Sequence, residues 1–208
     1  RFQQHRRPRL RARAAAPSSA AGPAAPPTPR EEYIRAMATS AITISELLPD
    51  ELDKLEPLWT ALQDHHARIS PVLGHALARG RETAWARRRA AYARWLMDPD
   101  AFVLVAERDR RLVGYAFVTV GDGYASWATG ERLAELETLS VAPEERGNQV
   151  GTALMDAVEA RLRERGIGDL AISVAATNVD AHRFYERRGY DRAFVVYFGS
   201  TEQHEARD

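Results

Sequence analysis

The chain has 208 residues, with 29 Lys or Arg against 29 Asp or Glu and no cysteine. That length holds one domain with a full hydrophobic core plus an extra segment, and the lack of cysteine excludes disulfides and thiolate metal ligands. The neutral total hides an asymmetry: residues 1–36 carry eight arginines against Glu31 and Glu32, a net +6, which leaves −6 for the remainder. A mildly acidic main domain argues against nucleic-acid binding and leans towards a cationic or amine partner. No apolar run approaches about 18 residues, so no membrane span is expected, and a cysteine-free chain fits the cytoplasm.

Residues 1–38 read as a disordered Arg/Pro/Ala-rich segment: six of the eleven prolines fall within the first 36 residues, with no apolar periodicity. The folded pattern is expected over 39–200, with a frayed tail over 201–208. Ala41–Leu47 alternates as a first strand. Pro49 to about His66 reads as a helix with Leu52, Leu55, Leu58, Trp59 and Leu62 on one face. Pro71 and Gly74 break the pattern before a second helix, roughly Glu82–Leu96, whose Trp85, Tyr92 and Trp95 form a stripe facing core or substrate. Ala101–Glu107 and Arg111–Val120 read as a hairpin. A loop from Gly121 to Gly130 leads to a strand over Leu133–Val141. Gln149–Arg165 is a strongly amphipathic helix, Leu170–Ala175 a strand, Val179–Arg188 a short helix and Tyr190–Phe198 a last strand. This order predicts an α/β fold: a mixed, mostly antiparallel sheet with one parallel pair joined by a right-handed crossover, and helices on both faces.

The most informative stretch runs from Leu136 to Leu154. A strand ends at Val141, a turn with Pro143 and Gly147 follows, and a helix starts with no acidic residue after Arg146 in its first turn. Unpaired N–H groups and the positive helix end make a seat for a phosphate there, and Arg146 adds donors. Alone, the turn specifies only an anion at a helix start. Glu135 and Glu137 lie two apart on the preceding strand, so alternation places both on the face of Leu139 and Val141. A carboxylate beside apolar residues has a raised pKa, which suits a base. His65, His66 and His75 lack metal-ligand spacing, and no metal is expected.

The turn resembles the [Q/R]-x-x-G-x-[G/A] motif of the GNAT acetyltransferase superfamily, with Arg146 first, Gly151 last, and Gln149 where the family usually has glycine. Asn178, Ala181, Phe184, Tyr185, Gly189 and Tyr190 resemble its N-x-x-A-x-x-[F/L]-Y-x-x-x-G-[F/Y] pattern. The resemblance implies a GNAT fold whose parallel pair splays at the cofactor site, with acetyl-CoA as co-substrate. It implies cofactor binding by Leu139, Ser140, Val141, Arg146, Gly147, Asn148, Gln149, Val150, Gly151, Thr152, Asn178 and Tyr185. It makes Tyr185 the acid towards the departing thiolate, and Glu137 or Glu135 the base, with Glu137 favoured. Acetyl transfer to a primary amine of a small molecule by direct attack is the expected reaction. Protein N-terminal or lysine acetylation and a non-catalytic acyl-CoA-binding module are the alternatives, and a homodimer is left open. The acceptor site is expected along the first two helices and the Gly121–Gly130 loop, with Trp59, His65, His66, Tyr124 and Trp127.

Overall fold

A computed structural model of the protein describes residue 28 and residues 41–76 and 79–198. The expectations for residues 1–38 and for 201–208 lie outside these, as does the side chain of His75. Everything below concerns the unit Thr39–Asp208.

Among the described residues, five strands form one sheet in chain order: β1 (Thr43–Glu46), β2 (Phe102–Arg108), β3 (Arg111–Asp122), β4 (Arg132–Val141) and β5 (Asp169–Ile172). β1 to β4 pair antiparallel, and β4 pairs with β5 in parallel. Asp109 and Arg110, both at positive φ, form the two-residue turn between β2 and β3, the left-handed geometry that matches strand twist. Among the described residues, four α-helices flank the sheet: α1 (Glu56–Ile69), α2 (Arg81–Trp95), α3 (Val150–Glu164) and α4 (Val179–Arg187).

Strand alternation gives the sheet two apolar faces. On one, Phe102, Leu104, Ala116, Val118 and Leu136 pack with Val150, Leu154, Met155, Val158 and Leu162 of α3. On the other, Val103, Val105, Tyr115 and Phe117 pack with Leu58 and Trp59 of α1 and with Trp85 and Tyr92 of α2. The aromatic stripe of α2 therefore serves the core, with Tyr92 stacked on Phe117 at 4.1 Å between ring centroids. Trp59, expected at the acceptor site, is buried against Trp85 instead. Gly114 lets α3 start directly over β3: a Cβ there would lie 2.9 Å from both the Ser140 carbonyl oxygen and a Val150 methyl.

Three further expectations change. The helix from Pro49 is two pieces, a 3₁₀ stretch over Pro49–Leu55 followed by α1. Pro57 near the start of α1 lacks the N–H that a continuous helix would need. The last strand, Tyr190–Phe198, does not form. Phe194, Val195, Val196, Tyr197 and Phe198 are exposed, and no main-chain hydrogen bond links residues 191–198 to another described segment. β-Favouring side chains make a strand only with a ladder partner.

The third change falls on β4. Phe117 pairs with Thr138 but Val118 pairs with Leu136, so Glu137 is an extra residue, a β-bulge. The bulge reverses the side-chain parity. Ala134 and Leu136 face α3 before it, and Leu139 and Val141 face α3 after it. Glu137 turns to the other face, where its carboxylate accepts a hydrogen bond from Thr119 Oγ1 at 3.0 Å. Glu135, two residues before it, is exposed. Neither glutamate shares the face of Leu139 and Val141, as uninterrupted alternation required.

Candidate active site

The parallel ladder stops early. β5 pairs with β4 from Leu133↔Asp169 to Leu136↔Ile172 and ends there, while β4 continues to Val141. From Glu137 onwards no described strand covers that side of β4. The main-chain direction follows from the β3 register. Ala142 donates its N–H to Val113 at 2.9 Å, so residues of the same parity, Thr138 and Ser140, also face β3. The N–H and C=O groups of Leu139 and Val141 therefore point into the open cleft. Ser140 turns its hydroxyl the other way, donating to the Leu58 carbonyl at 2.8 Å.

At the end of this edge lies the helix start. Gln149 is the N-cap of α3 at φ 64°, and Gly147 has φ 82°. Gln149 occupies the left-handed conformation that glycine adopts most readily, so its departure from the motif alters the side chain and not the backbone path. The first helical bond runs from Ala153 N–H to the Gln149 carbonyl at 2.9 Å. That leaves the N–H groups of Val150, Gly151 and Thr152 without helical partners. The first turn carries no acidic side chain. Glu144 and Glu145, close by in sequence, are neutralised: Glu145 pairs with Arg108 and Glu144 with Arg111 at 3.2 Å. Asn148 is tied into the same turn, its carbonyl accepting from Arg108 at 3.2 Å.

α4 forms the opposite wall. Asn178 caps it, its Oδ1 accepting from Ala181 N–H at 3.2 Å. The helix ends in a paired stop: Gly189, at φ 87°, donates to Glu186 at 3.0 Å, and Tyr190 donates to Tyr185 at 3.1 Å. This six-residue closure brings the side chains at its two ends together, and the Tyr185 and Tyr190 rings sit 6.1 Å apart, edge to face. Tyr190 Oη donates to Glu159 of α3 at 3.1 Å, and Arg188 bridges Glu159 at 2.9 Å and Asp156 at 2.7 Å. Tyr185 is thus positioned by its own helix stop, which is pinned to α3.

A cavity of about 620 Å³ joins these parts. Of the twelve expected cofactor residues, it is lined by Leu139, Val141, Arg146, Gly147, Gln149, Val150, Gly151, Thr152, Asn178 and Tyr185. Ser140 and Asn148 do not line it, and neither do Glu135 and Glu137. The wall also includes Leu62 and His65 of α1, and Asp180, Arg183 and Arg187 of α4; none was among the expected cofactor residues, although His65 was expected at the acceptor site. Leu62 and His65 are three apart and so share a helical face. Which helix faces the cleft depends on packing, which spacing alone does not encode. His65 Nδ1 lies 3.5 Å from Arg146, and burial followed by the Arg146 charge lowers its pKa.

The electrostatics separate the two candidate proton carriers. Burial, followed by the neighbouring Tyr190, pushes the Tyr185 phenol well above its ordinary value, so the group remains a protonated donor at neutral pH. Its hydroxyl has no protein hydrogen-bond partner among the described residues. Burial likewise raises Glu137, against the Thr119 hydrogen bond and Arg88, with Glu135 adding to the rise. A carboxylate shifted upward is a stronger base once ionised.

Residues 59–190 match the "Acetyltransferase (GNAT) family". The mycothiol acetyltransferase of Cellulomonas flavigena is 33% identical over 131 residues, 62% of this chain and 37% of that protein. The aminoalkylphosphonate N-acetyltransferase of Salmonella typhimurium is 30% identical over 107 residues, 50% of this chain and 66% of that protein. The chain thus spans little more than a third of the former's length. Among solved structures, AAC(6')-Iy in complex with the bisubstrate analogue CoA-S-monomethyl-acetylneamine superposes with a TM-score of 0.58 at 18% identity, covering 78% of this chain and 99% of that one. With the family match extending over more than half its length, the chain belongs to the acetyltransferase (GNAT) family.

Proposed function

We propose that the protein transfers the acetyl group of acetyl-CoA to a primary amine of a small molecule, by direct attack in a ternary complex. The observation that carries this reading is one continuous path of unsatisfied donors. It runs from the bare start of α3, along the outward N–H groups of Val141 and Leu139, to the Tyr185 hydroxyl. A pyrophosphate fits the helix start, where N–H groups converge and no carboxylate of that turn is unpaired. An extended pantetheine fits the edge of β4 as an added strand. Among the fold's neighbours, AAC(6')-Iy carries a coenzyme A bisubstrate analogue, which supports the assignment of the donor.

The residues divide the work. The main-chain N–H groups of β4 polarise the thioester carbonyl. Glu137, at the bulge where β5 departs, takes the amine proton through water from the α2 side of the sheet. As nitrogen bonds to the carbonyl carbon and the carbon–sulfur bond breaks, Tyr185 gives its proton to the leaving thiolate. The chain has no cysteine, so no thioester with the protein precedes attack. The similar proteins named for mycothiol, aminoalkylphosphonate and aminoglycoside acetylation support a small-molecule acceptor.

The test is free-thiol release from acetyl-CoA across a panel of spermidine, lysine, kanamycin, 2-aminoethylphosphonate and an unblocked peptide. Turnover with a small amine well above the amine-free rate supports the reading. Turnover with the peptide alone contradicts the small-molecule acceptor, and release with none of them contradicts the transferase reading for this panel.

A further inference from the structure

A chain of buried hydroxyls lies directly behind the bulge. Thr138 Oγ1 is 2.7 Å from the Glu137 carbonyl oxygen, Tyr92 Oη is 2.6 Å from Thr138 Oγ1, and Tyr115 Oη is 3.1 Å from Tyr92 Oη. All three side chains are buried, Tyr92 and Tyr115 completely. The direction of the chain is fixed by its end. A carbonyl oxygen only accepts, so Thr138 spends its single proton there. Thr138 must then accept from Tyr92, and Tyr92 from Tyr115. The three residues come from α2, β3 and β4, so the network ties the bulge to both elements packed against it.

A bulge interrupts the ladder and leaves a residue unpaired. At this point the Thr138 hydroxyl gives the Glu137 carbonyl a hydrogen-bond partner. Removing that partner frees the Glu137 peptide to rotate, and the carboxylate with it. The groups facing the carboxylate are Thr119 of β3, Glu135 of β4 and Arg88 of α2. Only Thr119 holds it by a hydrogen bond, which fixes the side-chain end and leaves the backbone end to Thr138.

We propose that Thr138, backed by Tyr92 and Tyr115, is the positioning residue for Glu137, holding the bulge so that the carboxylate stays on the α2 face of the sheet beside Thr119. The proposal rests on the reading of Glu137 as base, and that reading has its own control in Glu137→Gln.

The experiment compares Thr138→Val, which keeps the shape and loses the hydroxyl, with Thr138→Ser, which keeps the hydroxyl. Tyr92→Phe removes the donor to Thr138 and stands in if Thr138→Val folds poorly. Turnover is measured with acetyl-CoA and the panel amine of highest rate. Thr138→Val is expected to lower kcat by about 10–100-fold, the scale of a misplaced reacting group, with the KM for acetyl-CoA unchanged. Its acid pH limb moves down as water reaches the freed carboxylate, and Thr138→Ser restores both. The Glu137 titration, followed directly by carbon-13 NMR, shows the same downward move in Thr138→Val without reference to activity. An unmoved titration in Thr138→Val, or equal losses in the Val and Ser variants, overturns the proposal. A Glu137→Gln variant of undiminished turnover removes the base reading, and this proposal falls with it.

Discussion

Burial acts on Tyr185 and Glu137 in the same direction, raising the pKa of both. Burial disfavours the charged form of each. It keeps the phenol protonated and therefore able to donate, and it makes the ionised carboxylate a better base. Tyr185→Phe is expected to cut turnover by about 10²–10⁴-fold while calorimetric affinity for coenzyme A holds, because the cavity keeps its shape. Full turnover in this variant would remove the acid role. The sign of the pH dependence follows from Glu137. Its pKa is raised in the folded protein, so the proposed base is lost as pH falls through a value above that of an ordinary glutamate. The acid limb of kcat/KM should lie above the ordinary glutamate value and vanish in Glu137→Gln; a limb at the unshifted value would contradict the assignment. The same shift costs stability as pH rises from the unfolded to the folded pKa, because there the native state binds more protons than the unfolded one.

Two helix ends shape the site, and they were legible in the sequence to different degrees. The spacing Tyr185, Gly189, Tyr190 encodes a helix stop that depends on a left-handed residue and a contact across it, so a local pattern reports a local structure. Replacing Gly189 with alanine forces a Cβ into φ 87°, at a cost of about 1–2 kcal/mol. The melting temperature should fall by about 2–8 °C, and thermal unfolding that leaves it unchanged would show that the stop is not under this constraint. The start of α3 was legible as a helix start without a first-turn acid because glycine, proline and the missing acid are sequence facts. Its backbone was not: Gln149 at φ 64° is the left-handed residue there, and the side chain alone gives no sign of it. The bulge was hidden for a different reason. One extra residue in β4 shows only against the register of β3, so uninterrupted alternation assigned Glu135 and Glu137 to the wrong face. Tyr190–Phe198 shows the converse limit, since strong β-propensity names a candidate strand without supplying its neighbour.

At the scale of the whole molecule, the site exists because two strands of unequal length lie side by side. β5 ends at Ile172, β4 continues to Val141, and the cleft between them opens onto α1, α3 and α4. The family motifs reported both walls of this cleft, while the contributions of Leu62 and His65 depended on how α1 packs over it. No described helix is long and apolar enough to cross a membrane. In the proposed reading, coenzyme A lies in this cleft with its pyrophosphate at the start of α3. Gly151 is the place to test it, because its Cβ direction leads between Val141 and Phe184, each 3.7 Å away, and a large side chain would close the seat. The direct measurement is isothermal titration calorimetry of acetyl-CoA against the wild-type protein and Gly151→Trp, with melting temperatures recorded for both. Saturable binding to the wild type and none to a Gly151→Trp variant that still folds is the expected result; equal affinity in the two proteins, or no binding to the wild type, rules out this seat for coenzyme A.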